Sequence, residues 1–143
     1  MGAFKSYKIY IKPGFEKISS ILNDAAKSFI NLIEESPDIK DDSILNIVYG
    51  GDGTLIKAIE ENKYKGYFIS IKSSNSLGFF TEFKNINEFI DYKENFTPFI
   101  EKHKLLEVTG NNKTFFCVNE FIFSNPYATM KFSLAINNIP FCY

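Results

Sequence analysis

Along the first ninety or so residues the spacing of apolar positions switches between the two-residue period of a strand and the three-and-four spacing of a helix. YKIYI, residues 7–11, is short, aromatic and β-branched, and is closed by Pro13 and Gly14, so it predicts a first strand. From Phe15 onward Ile18, Ile21, Leu22, Ala25, Ala26, Phe29, Leu32 and Ile33 recur at helical spacing and predict one buried stripe, ended by Glu34, Glu35 and Pro37. After the polar connector SPDIKDDS, ILNIVY (44–49) predicts a second strand leading into GGDGT. TLIKAIEEN then predicts a short helix and GYFISIK (66–72) a third strand. SSNS reads as a loop before LGFFTEF, and NINEFIDYKENF as a further helix. Strands alternating with helices in this way predict right-handed crossovers and a Rossmann-like α/β fold, a doubly wound and mostly parallel sheet.

After Pro98 the pattern changes to strands alone. FIEKHKLLEVTG, NNKTFFCVNEFIFSN and ATMKFSLAINN read as strand-like and are divided by the turn clusters TGNNK, NPY and NN, with the apolar run IPFCY last. These are expected to be the first antiparallel strands of an all-β domain, giving a division into 1–97 and 98–143. A lone pair of strands is marginal by itself, so partners for this meander are expected elsewhere.

Size and composition narrow the class. At 143 residues the chain holds one ordinary domain and no second full one. Its 45% apolar and 23% charged residues are those of a globular protein, no run spans a bilayer, and the N-terminus carries no secretion signal, so a cytoplasmic protein without a membrane segment is expected. Sixteen basic and seventeen acidic residues are dispersed without blocks, which speaks against a nucleic-acid surface. All sixteen basic residues are Lys, so side-chain phosphate binding must use point charges rather than the Arg fork. Cys117 and Cys142 make neither a disulfide framework nor a zinc site and are expected as buried reduced thiols. His103, between Lys102 and Lys104, is expected as an exposed strand residue.

GGDGT carries the candidate chemistry. It stands where a predicted strand ends and a helix begins, the edge at which open α/β sheets bind ligands. Gly50, Gly51 and Gly53 let the main chain approach an anion while amides from Thr54 onward point outward. Taken alone, this leaves a phosphate site and a simple turn, with Asp52 or Thr54 as helix cap, about equally supported. A carboxylate beside a phosphate loop makes chemical sense if it meets a hydroxyl and accepts its proton during attack on a phosphoryl group. The loop lacks the GKS or GKT ending of a Walker A motif.

Three motifs together resemble the NAD kinase family. GGDGT is common to a wider kinase superfamily that includes diacylglycerol and sphingosine kinases. LGFFTEF (77–83) resembles the Leu-Gly-Phe-Leu-Thr-Glu/Asp segment of NAD kinases, and CVNEF (117–121) their Leu-Asn-Glu/Asp segment. The resemblance implies transfer of the γ-phosphate of ATP to the 2′-hydroxyl of the adenosine ribose of NAD, with Asp52 as proton acceptor. It implies Gly51, Gly53, Thr54 and Lys57 at the nucleotide, Phe79 and Phe80 near the adenine, and Asn119 and Glu120 on the adenosine portion. It also implies Mg²⁺ carried on the nucleotide and a homo-oligomer, with no metal ligand of the protein's own.

Each position has a plainer account: Phe79 and Phe80 as core in a chain of sixteen Phe, Lys57 as a solvated helix face, Asn119 and Glu120 as the outer face of a strand. SIKSSNSLGF has Ser and Asn where the family carries glycines. Because the family continues into an all-β domain, the 143 residues are expected to be a fragment. A non-catalytic nucleotide-binding or assembly module and a lipid kinase of the GGDGT superfamily are the competing readings.

Overall fold

The computed structural model describes residues 4–32, 43–92, 100–122, 124, 126–129 and 132–141. Three parallel strands, β1 (Phe4–Ile11), β2 (Ser43–Gly50) and β3 (Tyr67–Lys72), form one sheet in the order β1-β2-β3. A 3-10 turn (Glu16–Ile18) and α1 (Ser19–Leu32) lie between β1 and β2, α2 (Asp52–Glu61) lies between β2 and β3, and α3 (Ile86–Asp91) follows. The chain is therefore α/β, as its alternating periodicity predicts.

The two faces of the sheet are covered by different helices. Leu22, Ala25, Ala26 and Phe29 of α1 pack with Leu45, Ile47 and Tyr49 of β2, Ile71 of β3, Phe83, and Phe89 of α3. Leu55 and Ala58 of α2 pack on Val48, with Tyr10 and Phe68 beside them. Odd positions of β2 thus face α1 and the even position Val48 faces α2, as strand geometry requires. Residues 45–50 are all buried.

This arrangement corrects the expectation of uniformly right-handed crossovers. The strand order follows the chain order, so β1 to β2 and β2 to β3 step across the sheet in the same sense, while α1 and α2 lie on opposite faces. The two helical crossovers therefore have opposite hands. Two right-handed ones would have placed both helices on one face of the sheet.

Local sequence accounts for the element ends. The helix expected from Phe15 begins as a 3-10 turn and becomes α-helical only at Ser19; Ile33 lies outside the described residues. Ile21, expected in the buried stripe, is 46% exposed. Helix α2 stops where the Asn62 side chain donates to Ala58 O at 2.7 Å, and Lys63 and Tyr64 turn the chain with φ of 55° and 60°. Helix α3 is capped reciprocally: Asn85 accepts the Glu88 N–H at 2.9 Å and Glu88 accepts the Lys84 N–H at 2.5 Å. The longer helix expected here extends toward residues 93–99, outside the described ones.

The chain divides into two compact units, Met1–Leu105 and Leu106–Tyr143. The second contains two antiparallel hairpins, β4 (Leu106–Gly110) with β5 (Lys113–Cys117) and β6 (Leu134–Ile136) with β7 (Ile139–Phe141). Each turns on an Asn-Asn pair in the left-handed region, φ 49° and 59° at Asn111 and Asn112, and 52° and 64° at Asn137 and Asn138. That geometry matches the twist of two-residue hairpins.

The strands are shorter than the sequence suggests. Residues 101–105 are irregular, so His103 is exposed but not in a strand, and β5 ends at Cys117. Cys117 is half-buried rather than buried, because none of the described residues of this unit is enclosed. Cys142 lies outside the described residues.

Candidate functional site

Strand β2 delivers its last residue, Gly50, to the carboxyl edge of the sheet, and α2 starts two residues later. Gly51 is the N-cap in extended conformation and receives no side-chain cap; Thr54 N and Leu55 N both donate to Gly51 O. Neither Asp52 nor Thr54 is the cap, which removes the simplest structural account of Asp52.

The three glycines answer to different demands. A Cβ on Gly50 would stand 2.3 Å from Thr54 Oγ1, and one on Gly51 would stand 2.9 Å from Ser76 Cβ, so both are required by packing within the protein. A Cβ on Gly53 would meet nothing within 4 Å. The fold makes no demand for glycine at this exposed first-turn position, where a side chain would only obstruct whatever approaches the helix amides.

Asp52 reaches across to the loop that follows β3. Its Oδ2 accepts the Phe79 N–H and its Oδ1 the Phe80 N–H, each at 2.9 Å. A carboxylate oxygen that accepts one N–H keeps further acceptor capacity, so this clamp orients the group while leaving it able to take a hydroxyl proton. The GGDGT and LGFFTEF segments, far apart in sequence, are thus joined at the carboxylate itself.

That second loop, residues 73–82, is tied at its base. Lys72 N donates to Phe83 O at 2.8 Å, and Glu82 N and Phe83 N donate to Ser70 O. Glu82 Oε2 accepts the Ser70 N–H at 2.6 Å and also binds the Ser70 hydroxyl, whose oxygen is 2.7 Å from Phe80 O. Within the loop Ser73 and Ser76 share a hydroxyl contact of 2.6 Å. Gly78 takes φ +54° with Thr81 packed where a Cβ would stand.

The aromatic pair is not core. Phe79 is 87% exposed, Phe80 43% and Leu77 84%, so the loop whose amides bind Asp52 presents three exposed apolar side chains. Lys57 is exposed and its ammonium lies 4.0 Å from Glu61, one turn further along α2. Asn119 and Glu120 are exposed residues of the second unit, in a bend beyond β5 rather than on a strand face. Among the described residues no three His, Cys, Asp or Glu side chains gather as a metal site, and no helix is long and apolar enough to cross a membrane.

The sequence reading passed over Lys12, Ser73, Ser76 and the Ser70–Glu82 tie. Lys12 follows β1 and donates from Nζ to Ser76 Oγ at 3.3 Å and to Asn75 O at 3.5 Å. The signal available was position: a Lys directly after the first strand, at the edge where β2 ends in glycine.

No family model matches the chain. It is 31% identical over 133 residues to the NAD kinase of Ureaplasma parvum serovar 3, an alignment covering 85% of this chain and 44% of that protein. The chain thus spans less than half the length of the relative it matches. Over most of its residues, then, the chain is similar to part of an NAD kinase.

Proposed function

We propose that the chain carries the GGDGT half of an NAD kinase site, which moves the γ-phosphate of ATP to the 2′-hydroxyl of the adenosine ribose of NAD and so makes NADP. The observation that supports it best is the meeting of the Asp52 carboxylate with the exposed Phe79 and Phe80 at the carboxyl edge of a parallel sheet. The similarity to a protein named NAD kinase supports NAD as the substrate.

In this reading Asp52, held by two amides, accepts the ribose hydroxyl proton as that oxygen attacks the γ-phosphorus, the bond to the β,γ-bridging oxygen breaks and ADP leaves. Gly51, Gly53 and Thr54 present backbone amides to phosphate, with Lys57 on the same helix. Phe79 and Phe80 offer ring faces to the adenine, and Asn119 and Glu120 hold the adenosine portion. Mg²⁺, carried on the nucleotide, would neutralise phosphate charge, in keeping with its preference for few protein ligands. The whole protein is proposed to be a cytoplasmic homo-oligomer.

The test is an assay for NADP from ATP and NAD, on this chain and on a longer chain containing it. Turnover by either, abolished by Asp52→Ala, is the expected result. Phosphorylation of diacylglycerol or sphingosine in place of NAD would overturn the substrate. Because the chain covers 44% of its relative, binding without turnover is the second reading for these residues alone, and NAD binding with no NADP from either chain would favour it.

A further inference from the structure

We propose that Lys12 is a phosphate-binding residue of this site, directing its ammonium at a phosphate group of the nucleotide held over the GGDGT loop. The inference rests on the nucleotide reading above and adds a residue to it. Lys12 N donates to Tyr49 O at 2.8 Å, which sets the residue beside the last turn of chain before Gly50. Gly50 in turn pairs with Lys72, so Lys12, Gly50 and Lys72 form one row across the ends of the three strands.

From that row the Lys12 side chain extends to Ser76, the residue whose side chain closes against Gly51. Its ammonium therefore stands next to the loop, in a residue of intermediate exposure, with the Phe15 ring centroid 5.8 Å away. Among the described residues it has no carboxylate partner. Its two acceptors are a neutral hydroxyl and a carbonyl at 3.3 and 3.5 Å, the long end of hydrogen bonding.

An ammonium that stands beside the loop with no counter-ion is free to make a charge-assisted hydrogen bond to an anion arriving there. Gly53 leaves open space on the same loop, and a phosphate there would be the missing anion. Lys57, the cation on α2, instead has Glu61 within reach and is 73% exposed. Of the two, Lys12 has the vacancy. The shared chemistry is a phosphate ester or anhydride, supplied either by the triphosphate of ATP or by the pyrophosphate of NAD.

The experiment is amine-labelling of the wild-type chain, read lysine by lysine, without ligand and with ATP, NAD, inorganic tripolyphosphate or adenosine. Labelling of Lys12 should fall with a phosphate-bearing ligand and stay unchanged with adenosine. Protection by ATP and tripolyphosphate assigns Lys12 to the donor, and protection by NAD alone assigns it to the acceptor.

Lys12→Met should weaken binding of that ligand about tenfold, the loss of one charge-assisted hydrogen bond, with Lys12→Arg retaining most of it. Nucleotide binding with Lys12 unprotected, protection confined to Lys72, or an unchanged Kd in Lys12→Met would overturn the inference and leave the proposed function standing. Failure of ATP, NAD and tripolyphosphate alike to bind the wild-type chain would overturn both.

Discussion

The Asp52 carboxylate is bonded to the main chain of Phe80, its Oδ1 accepting that residue's N–H at 2.9 Å while Oδ2 takes the neighbouring amide of Phe79. Asp52→Asn is therefore not a silent replacement. One amide oxygen can still accept, but the new NH₂ group faces an N–H donor. Asp52→Asn and Asp52→Ala should each cost about 1–2 kcal/mol of stability, and the Phe79 and Phe80 amides should exchange faster with solvent. Unchanged exchange at both amides in Asp52→Ala would show that the clamp is not present in solution.

Gly50 and Gly53 should respond in opposite directions to the same substitution. Gly50→Ala drives a methyl against Thr54 at 2.3 Å and should destabilise by about 1–3 kcal/mol. Gly53→Ala sits in helical backbone with free space around it and should be neutral or stabilise by about 0.5–1 kcal/mol. If the loop approaches a phosphate, Gly53→Ala should nevertheless weaken ATP or NAD binding. Thermal melts paired with titrations check this; undiminished binding by a fully folded Gly53→Ala chain would remove the argument from open space.

Glu82 anchors the aromatic loop from below. Glu82→Ala leaves the Ser70 N–H without its carboxylate acceptor, in a residue only 1% exposed, and should cost about 1–3 kcal/mol in a denaturant titration. The Ser70 hydroxyl keeps Phe80 O as partner, so the loop should loosen rather than detach. An unaltered midpoint would mean that the backbone bonds of Phe83 close the loop by themselves.

In the turn that follows β1, Glu16 gives a pH signature of its own. The Gly14 N–H, donated to Glu16 Oε1 at 2.9 Å, and then the Glu16 amide hold this carboxyl below the ordinary carboxylate range. The folded pKa being depressed, the associated stabilisation exists above the unfolded value and is lost as pH falls through the folded one. Carbon-detected titration of Glu16 should place its midpoint below that of a model peptide. A midpoint at or above the peptide value would contradict the Gly14 contact.

How far these features were legible depended on whether they repeat locally. YKIYI, ILNIVY and GYFISIK carry their period on their surface, and the strands fall where those runs lie, β1 reaching back to Phe4 and β2 taking in Gly50. The Asn-Asn turns were legible because left-handed pairs favour that residue. The opposite hands of the crossovers were not, since periodicity says which residues are buried and nothing about which face buries them.

The same divide runs through the site. GGDGT and LGFFTEF stand out as strings, but the bonds joining them end on the amides of Phe79 and Phe80, and an amide has no letter of its own. Lys12 was hidden for the opposite reason, being one of sixteen identical letters. Asn119 and Glu120 were legible as a motif, yet their strand context was overestimated, because a run of Phe and Val extends an apparent strand past the point where pairing stops at Cys117.

Among the described residues β2 is the strand flanked on both sides by named strands, β1 and β3, and it is covered above and below by α1 and α2. Hydrogen exchange should find it the last segment of this unit to open, with free energies near that of global unfolding. The GGDGT carboxylate is thus mounted on the stiffest part of the unit, and its partner loop hangs from an edge strand by one serine and a few backbone bonds. Any accommodation to a guest of different shape falls to the aromatic side, so changes of substrate preference should accumulate in residues 73–82 while the glycine loop stays as it is.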